Sequence, residues 1–376
     1  MTNSMRVLIT NFDLAGRGGT QMYVRDLAAA LLARGHQPVV YSTEHGSVAA
    51  ELRAATIPVV SDLDKLSTPP DIIHGNQHVE TMTALLRYPG VPAVYFCHSW
   101  RNWLEAPPAF PRIVKYIAVD HTCRDRLTIE HGIPESKVRV ILNFVDLERF
   151  KPRGALPNRP QRALVFSNYA GEHTYLKTVR EACARTDVAL DVIGEGVGNV
   201  CAQPELELGK YDIVFAKARA ALEALAVGTA VVLCDAVGSG TLVTSDELPH
   251  LRRLNFGVRT LQGPITTAVI AREIARYDPA DAAEVSRQIR ATAGLDLAVA
   301  QIIELYEEVI AQWGAVGQVD IQEEGRAAAA YLRQLYSDFK SHAAFSERMR
   351  SRVRKIPLFG SLLLSLRNKS TTKGFR

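Results

Sequence analysis

Residues 215–235, FAKARAALEALAVGTAVVLCD, constrain the fold more than any other stretch of the chain. The apolar run Ile213-Val214-Phe215 predicts the end of a strand. Residues 217–227 read as a helix, because Ala221, Leu222, Leu225 and Ala226 recur at helical spacing. Gly228 supplies a C-terminal stop, and 230–234 is an unbroken apolar run of the buried-strand kind. Strand, helix and strand in so short a span predict a βαβ crossover, with ligands at the carboxyl edge of the sheet. Lys217 and Arg219 fall in the first helical turn, where the macrodipole disfavours each cation by roughly 0.3–1 kcal/mol. Glu223 sits mid-helix among apolar neighbours. An anion sharing the site accounts for the misplaced cations; two solvated side chains and a surface Glu account for them equally.

The same alternation runs along most of the chain. Strand patterns occur at 6–10, 38–42, 59–60, 71–74, 93–97, 116–119 and 138–142. Helical patterns lie between them, from the end of the loop 11–19 to about 34, near 79–87, and over 122–131. Pro and Gly then cluster at 152–160, a linker composition. A second series begins with strands at 163–167 and 189–193 and a helix near 176–185, and includes the 213–235 unit. Helices are predicted near 245–254, 266–276 and 281–313, and a further Ala-rich one over 322–340. This ordering predicts an α/β protein of two Rossmann-like, doubly wound domains facing a cleft. The domains are 1–155 and 160–315, followed by a helical and basic extension over 316–376.

A chain of 376 residues has material for two such domains, and 47% hydrophobic with 22% charged residues is a globular composition. Five scattered cysteines, Cys97, Cys123, Cys183, Cys201 and Cys234, lack metal-ligand spacing and suit reduced thiols in the cytoplasm. No signal-type h-region and no run near the roughly 18 apolar residues of a membrane span is present. The net charge of +4 is uneven. Residues 346–376 carry nine Lys/Arg against Glu347 alone, a balance of +8 that leaves the rest at −4. With two short apolar patches, that segment suits an anionic membrane surface; a disordered, nonspecific basic tail fits it as well. No specific nucleic-acid site is read from it.

Several loops are placed to carry chemistry. Gly16-Arg17-Gly18-Gly19-Thr20 follows the first strand and opens a helix, so Gly18 and Gly19 can bring backbone N–H groups to a phosphate. A plain tight turn has the same pattern. Gly194-Glu195-Gly196 carries the same ambiguity. His74, His78 and His98 lie at or beyond strand ends; His78 reads as structural, and His98 is the better site candidate. No histidine pair has metal spacing backed by carboxylates, so no metal and no cofactor are expected. No Walker loop or nucleophile elbow is visible.

Together these pieces resemble the retaining glycosyltransferases of the GT-B fold, family 4 type, over roughly residues 6–315. The strongest part is 116–152, YIAVDHTCRDRLTIEHGIPESKVRVILNFVDLERFKP, which is similar to that family's "gly-Ile-Pro" and "Asn-Gly-Val-Asp…Arg-Phe" junction. GRGGTQMYVRDLAAALLARGHQPVVYST is similar to its donor-facing glycine loop and first helix. Leu222-Glu223-Ala224-Leu225-Ala226-Val227-Gly228 resembles "Leu-Glu-Ala-Met-Ala-x-Gly" around its second motif glutamate. The chain departs from the pattern in four places. Phe215 stands where a first glutamate is usual, and Asn168 and His173 align with the Arg and Lys that bind the donor diphosphate. Phe144 replaces the glycine of Asn-Gly-Val-Asp, and 196–211 is short for the usual extra βα unit.

The resemblance implies metal-independent transfer of a sugar from a nucleotide-sugar donor, with retention. The N-terminal domain would take the acceptor, lipid-linked or part of a cell-envelope glycan, and the C-terminal domain the donor. Catalytic roles fall to His98 on the sugar and Glu223 on the ribose. Donor binding falls to Gly18, Gly19, Gly194, Asn168, His173, Lys217 and Arg219, the last two standing in for the missing cations. A cytoplasmic enzyme, peripheral on the inner face of the membrane, is the expectation. An inactive GT-B nucleotide-sugar-binding protein is the alternative, and a GT-B nucleotide-sugar epimerase a third.

Overall fold

The computed structural model describes residues 4–316 and 320–354, with side chains through residue 341. In chain order the first half runs β1 (Arg6–Thr10), β2 (Asp13–Leu14), α1 (Gly19–Ala33), β3 (Gln37–Tyr41), β4 (Glu44–His45), α2 (Ser47–Ala54), β5 (Val59–Val60), β6 (Ile72–Gly75), α3 (His78–Arg87), β7 (Ala93–Cys97), β8 (Ile113–Ala118), α4 (His121–Asp125) and β9 (Val138–Val140). Seven of these strands form one parallel sheet in the order β5-β3-β1-β6-β7-β8-β9. β7 is buried at every position, as a central parallel strand covered on both faces must be.

The second half comprises β10 (Arg162–Phe166), α5 (Leu176–Arg185), β11 (Ala189–Ile193), α6 (Pro204–Glu207), β12 (Ile213–Ala216), α7 (Ala218–Val227), β13 (Ala230–Asp235), β14 (Gly238–Leu242), α8 (Leu248–Arg253), α9 (Thr267–Ala275), α10 (Pro279–Thr292) and α11 (Leu295–Val316). Its sheet has the order β11-β10-β12-β13-β14, with only β14 antiparallel. Phe215 and Val232 pack on one face, and Val214 and Val231 on the other. The βαβ unit read from residues 213–235 is present, and Gly228 ends α7 in the left-handed region at φ 96°. Between β11 and β12 lie only short helical turns.

Two expectations are corrected. The single helix expected over 281–313 is two. The chain breaks at Ala293-Gly294, where Val145 N–H donates to Ala293 O (2.9 Å) and Leu295 N–H to Val145 O (2.9 Å). Beyond the break α11 packs on the first sheet, not the second: Tyr306 is fully buried with its hydroxyl 2.6 Å from Nδ1 of His74 at the end of β6. The helix expected over 122–131 is regular only through α4 and widens to a π-type turn over Arg126–Glu130. β14, sequence GSGTL, is a strand for which no expectation was drawn from the sequence, since glycine is depleted in strands.

A further helix, α12 (Ile321–Arg354), forms a separate unit and exposes Leu332, Tyr336 and Phe339. Of the basic segment 346–376, residues 355–376 lie outside the described residues. No helix among the described residues is long and apolar enough to cross a membrane.

Candidate functional site

Both sheets reverse their strand order beside their first strand: β1 lies between β3 and β6, and β10 between β11 and β12. Crevices at the carboxyl ends of such strands are where open α/β sheets bind ligands. The glycine loop follows β1, His98 follows β7, Asn168 follows β10 and Gly194 follows β11. All of them reach one cleft with two lobes. The inner lobe, about 170 Å³, is lined by Gly18, Gly19, Arg149, Asn168, Gly194, Arg219 and Glu223 among others. The outer, about 590 Å³, is lined by Gly18, Gly19, His98, Glu105, Tyr169 and Arg219 among others. That volume falls in the range of small-molecule sites.

Six of the nine residues expected in a donor or catalytic role, Gly18, Gly19, Asn168, Gly194, Arg219 and Glu223, line the inner lobe. His98 lines the outer one. Lys217 and His173 line neither.

Gly18 is the N-cap of α1, which has neither a side-chain cap nor an acidic residue in its first turn. The first N–H groups of a helix have no intrahelical acceptor, so this end of α1 offers donors to the cleft. Gly194 has a different reason to be glycine. A Cβ there would stand 1.9 Å from the carbonyl oxygen of Ser167, so the two loops could not approach. Its N–H is spent on Asn199 O (2.7 Å). Asn168 Oδ1 accepts from Glu195 N–H at 3.3 Å, joining the same two loops.

The cations misplaced at the start of α7 have anions, and the anions are the protein's own. Lys217 pairs with Asp235, a residue 1% exposed at the end of β13, and lies 4.8 Å over the Tyr169 ring. Arg219 donates through Nε to Glu223 Oε1 at 2.8 Å and through Nη2 to Asp26 of α1. Burial opposes the Arg219 charge, but Asp26 and Glu223 outweigh it and hold the guanidinium protonated. Burial raises the Glu223 pKa, with Arg219 pulling the other way.

Asp26 is the centre of a wider ion web. It also accepts from Arg25 Nε (2.9 Å) and lies 3.5 Å from Arg149 Nη1. Arg25 and Arg17 in turn both pair with Glu51 of α2. Helix α1 of the first sheet and α7 of the second are thereby joined by charge through buried groups.

His98 is a neutral imidazole. Asn76 Nδ2 donates to Thr10 O (2.7 Å), which turns Asn76 Oδ1 toward His98 Nε2 at 2.8 Å. Nε2 therefore carries the proton, and Nδ1 keeps a lone pair. Burial pushes its pKa down to about 3, with the Arg219 charge adding to the effect. The Tyr23 ring meets it edge-on at 4.6 Å, and the backbone N–H of His98 donates to Glu105 Oε2 at 2.8 Å. Glu105, 3% exposed, is raised to about 7 by burial, against the His98 N–H and Arg126. His74 is structural: it stacks on Phe96 at 4.1 Å and is pushed down to about 3 by burial. His78 is buried against Trp103.

Sequence reasoning missed Asp26, Arg149 and Glu105. Asp26 carried a usable signal, since it sits three residues after Tyr23 and four before Ala30, on the apolar stripe of α1. Arg149 lies in a turn and was visible only as the Arg of the Arg-Phe junction motif, and Glu105, in a 3-10 turn, carried none. No group of three metal-ligating side chains occurs among the described residues.

Comparison with known proteins bears on the fold. Residues 17–149 match the family model described as Glycosyltransferase Family 4. Among solved structures, the chain is similar to a glycosyltransferase from Rickettsia africae, with 15% identity, a TM-score of 0.60, and coverage of 82% of this chain and 99% of that one. It is also similar to HepE of Anabaena, solved with UDP and glucose, with 17% identity, a TM-score of 0.59, and coverage of 81% and 99%. No curated protein matches the chain in sequence. The fold is that of the GT-B glycosyltransferases, and the family 4 resemblance drawn from the sequence is matched over residues 17–149.

Proposed function

We propose that the protein is a glycosyltransferase that moves a sugar from a nucleotide-sugar donor to an acceptor, with retention and without a metal. The observation that carries this is the meeting of Gly18, Gly19, Arg219, Glu223 and His98 in one cleft at the switch points of two sheets. Residues 1–155 take the acceptor, and 160–315 the nucleotide, with α11 returning to the first sheet. A nucleotide-sugar donor is supported by HepE, whose structure holds UDP and glucose.

The chemistry needs donors already in place where the leaving diphosphate gains charge. The N–H groups at the N-terminus of α1 are such donors, and Arg219 lines the same lobe. Glu223 receives ribose hydroxyls. The Nδ1 lone pair of His98 accepts from a hydroxyl of the transferred sugar. The acceptor is lipid-linked, and residues 346–376 hold the enzyme to the anionic inner face of the membrane. Sedimentation with anionic liposomes should show salt-sensitive binding that is lost on truncation after Phe345; equal binding by the truncated chain would dispose of that part.

Phe215 favours a second reading, an inactive binding protein. It is fully buried in β12 at the position where the resemblance would set a first glutamate. Calorimetry against UDP-, GDP- and ADP-linked sugars tests the donor, and release of free nucleoside diphosphate with acceptor present tests turnover. Binding without release would favour the second reading, and no heat with any donor would overturn both.

A further inference from the structure

The inner lobe of the cleft is lined by three cations, Arg17, Arg149 and Arg219, and their hydrogen bonding differs sharply. Arg17 is committed to Glu51. Arg219 is committed to Asp26 and Glu223. The Arg149 guanidinium donates no hydrogen bond to any described acceptor. Its nearest carboxylates are Asp26 at 3.5 Å and Glu205 at 3.8 Å, and its Nε is buried with no partner. A buried unpaired donor in a native structure calls for an explanation, and a missing anion is one of the few available.

The backbone that carries this side chain is held fast. Asp146 Oδ1 accepts from the N–H groups of Glu148 and Arg149, both at 3.1 Å. Phe150 is fully buried in the core, and its carbonyl accepts from Arg290 Nη1 at 2.8 Å. Leu147 O accepts from the other Arg290 nitrogen at 3.3 Å. The guanidinium itself lies 4.8 Å from the centre of the Phe150 ring. A fixed backbone with an uncommitted planar fork is a preorganised receptor for an oxyanion.

We propose that Arg149 is the cation that binds the donor's diphosphate, filling the role that Asn168 and His173 leave open. It rests on the nucleotide-sugar reading above and adds the residue that reading lacked. Lys217 is excluded by its pairing with Asp235, and Arg219 orients beside the same group. On donor entry, Arg149 exchanges two long contacts with Asp26 and Glu205 for short charged ones to phosphate oxygens.

The test is calorimetry of the full chain with UDP, GDP and ADP, and with the monophosphate of whichever base binds best. Arg149→Gln should weaken the diphosphate by ten- to a hundredfold and the monophosphate by much less, with a ligand-free melting midpoint close to that of the parent. Should Arg149→Gln fail to fold, Arg149→Lys carries the test, with an expected three- to tenfold loss confined to the diphosphate. Undiminished diphosphate binding by the variant would overturn the assignment while leaving the donor reading in place. An equal loss of mono- and diphosphate would also overturn it, because a merely structural residue behaves that way. No heat from the parent with any nucleoside diphosphate would remove the donor reading, and this inference with it.

Discussion

Replacing Asp26 with Asn should destabilise the protein, because it removes the centre of the ion web at the cleft. The residue is 4% exposed and accepts from Arg25 and Arg219, with Arg149 close by. Removing one partner of a buried ion pair typically costs about 3–5 kcal/mol, because the other charge is left without compensation. Here Arg219 keeps Glu223 and Arg25 keeps Glu51, so the lower end, about 3 kcal/mol, is expected. Urea unfolding of Asp26→Asn, Arg219→Met and the double variant gives the magnitude and its source. Once Arg219 is gone, the aspartate loses much of its purpose, so the cycle should return a coupling of about 1–3 kcal/mol. A single-variant loss below 1 kcal/mol, with additive effects in the cycle, would show that the web is solvated in solution and does not join α1 to α7.

Three further outcomes follow from the same geometry. Lys217→Met should lower stability by about 3 kcal/mol, by stranding Asp235, and leave nucleoside diphosphate affinity unchanged; a tenfold loss of affinity would return Lys217 to the donor site. Ala218 is held at φ 49°, a left-handed conformation that costs a residue with a Cβ roughly 1–2 kcal/mol. Ala218→Gly should therefore raise stability by about 0.5–1 kcal/mol after glycine's entropy cost, read as a higher urea midpoint, and a lower midpoint would refute it. The third outcome concerns pH. His98 and His74 are depressed to about 3, so in the unfolded chain they take up protons below about pH 6.5 that the folded state refuses, and stability falls as pH drops from there. Glu105, raised to about 7, has the opposite sign: its contribution is greatest below the unfolded carboxylate pKa and is lost as pH rises toward 7. Glu105→Gln should thus steepen the rise of stability between pH 5 and 6.5 by about 1.4 kcal/mol per unit; an unchanged slope would mean that Glu105 is ionised throughout.

The elements legible in the sequence were those whose pattern is local. β7, α5 and β11 fall where apolar alternation and helical spacing set them, to the residue. Boundaries set by distant partners were not legible. The break between α10 and α11 depends on Val145 bridging to Gly294 across the linker, and Ala-Gly within a helical pattern does not announce it. β14 depends on pairing with β13, against its own propensity. At the cleft the same division holds. Gly18, Gly19 and His98 were legible because loops after parallel strands converge by topology, and Glu223 because it interrupts the apolar pattern of a helix within a motif that the resemblance marks. The charge partners were not found, because which carboxylate meets Arg219 depends on the packing of α1 against α7. The helix dipole favours an anion near Lys217 and Arg219, but it does not distinguish a ligand's anion from Asp235 and Asp26.

The same pairing explains how a cleft can be lined with arginines without loss of stability. Four arginines, Arg17, Arg25, Arg149 and Arg219, are interleaved with four carboxylates, Glu51, Asp26, Glu205 and Glu223. The web is close to neutral, so the free protein holds little uncompensated charge away from water, which would be costly. A diphosphate brings fresh negative charge into this balance, and the cations already in short contacts cannot answer it without giving up a paired carboxylate. The group able to respond at least cost is the one whose existing contacts are long. Arg149 satisfies that condition, with its nearest carboxylate oxygens at 3.5 and 3.8 Å, whereas Arg219 would have to release Asp26 and loosen the junction between α1 and α7. Affinity for the donor and cohesion of the cleft therefore rest on different arginines, so substitutions at Arg149 and Asp26 should separate the two properties.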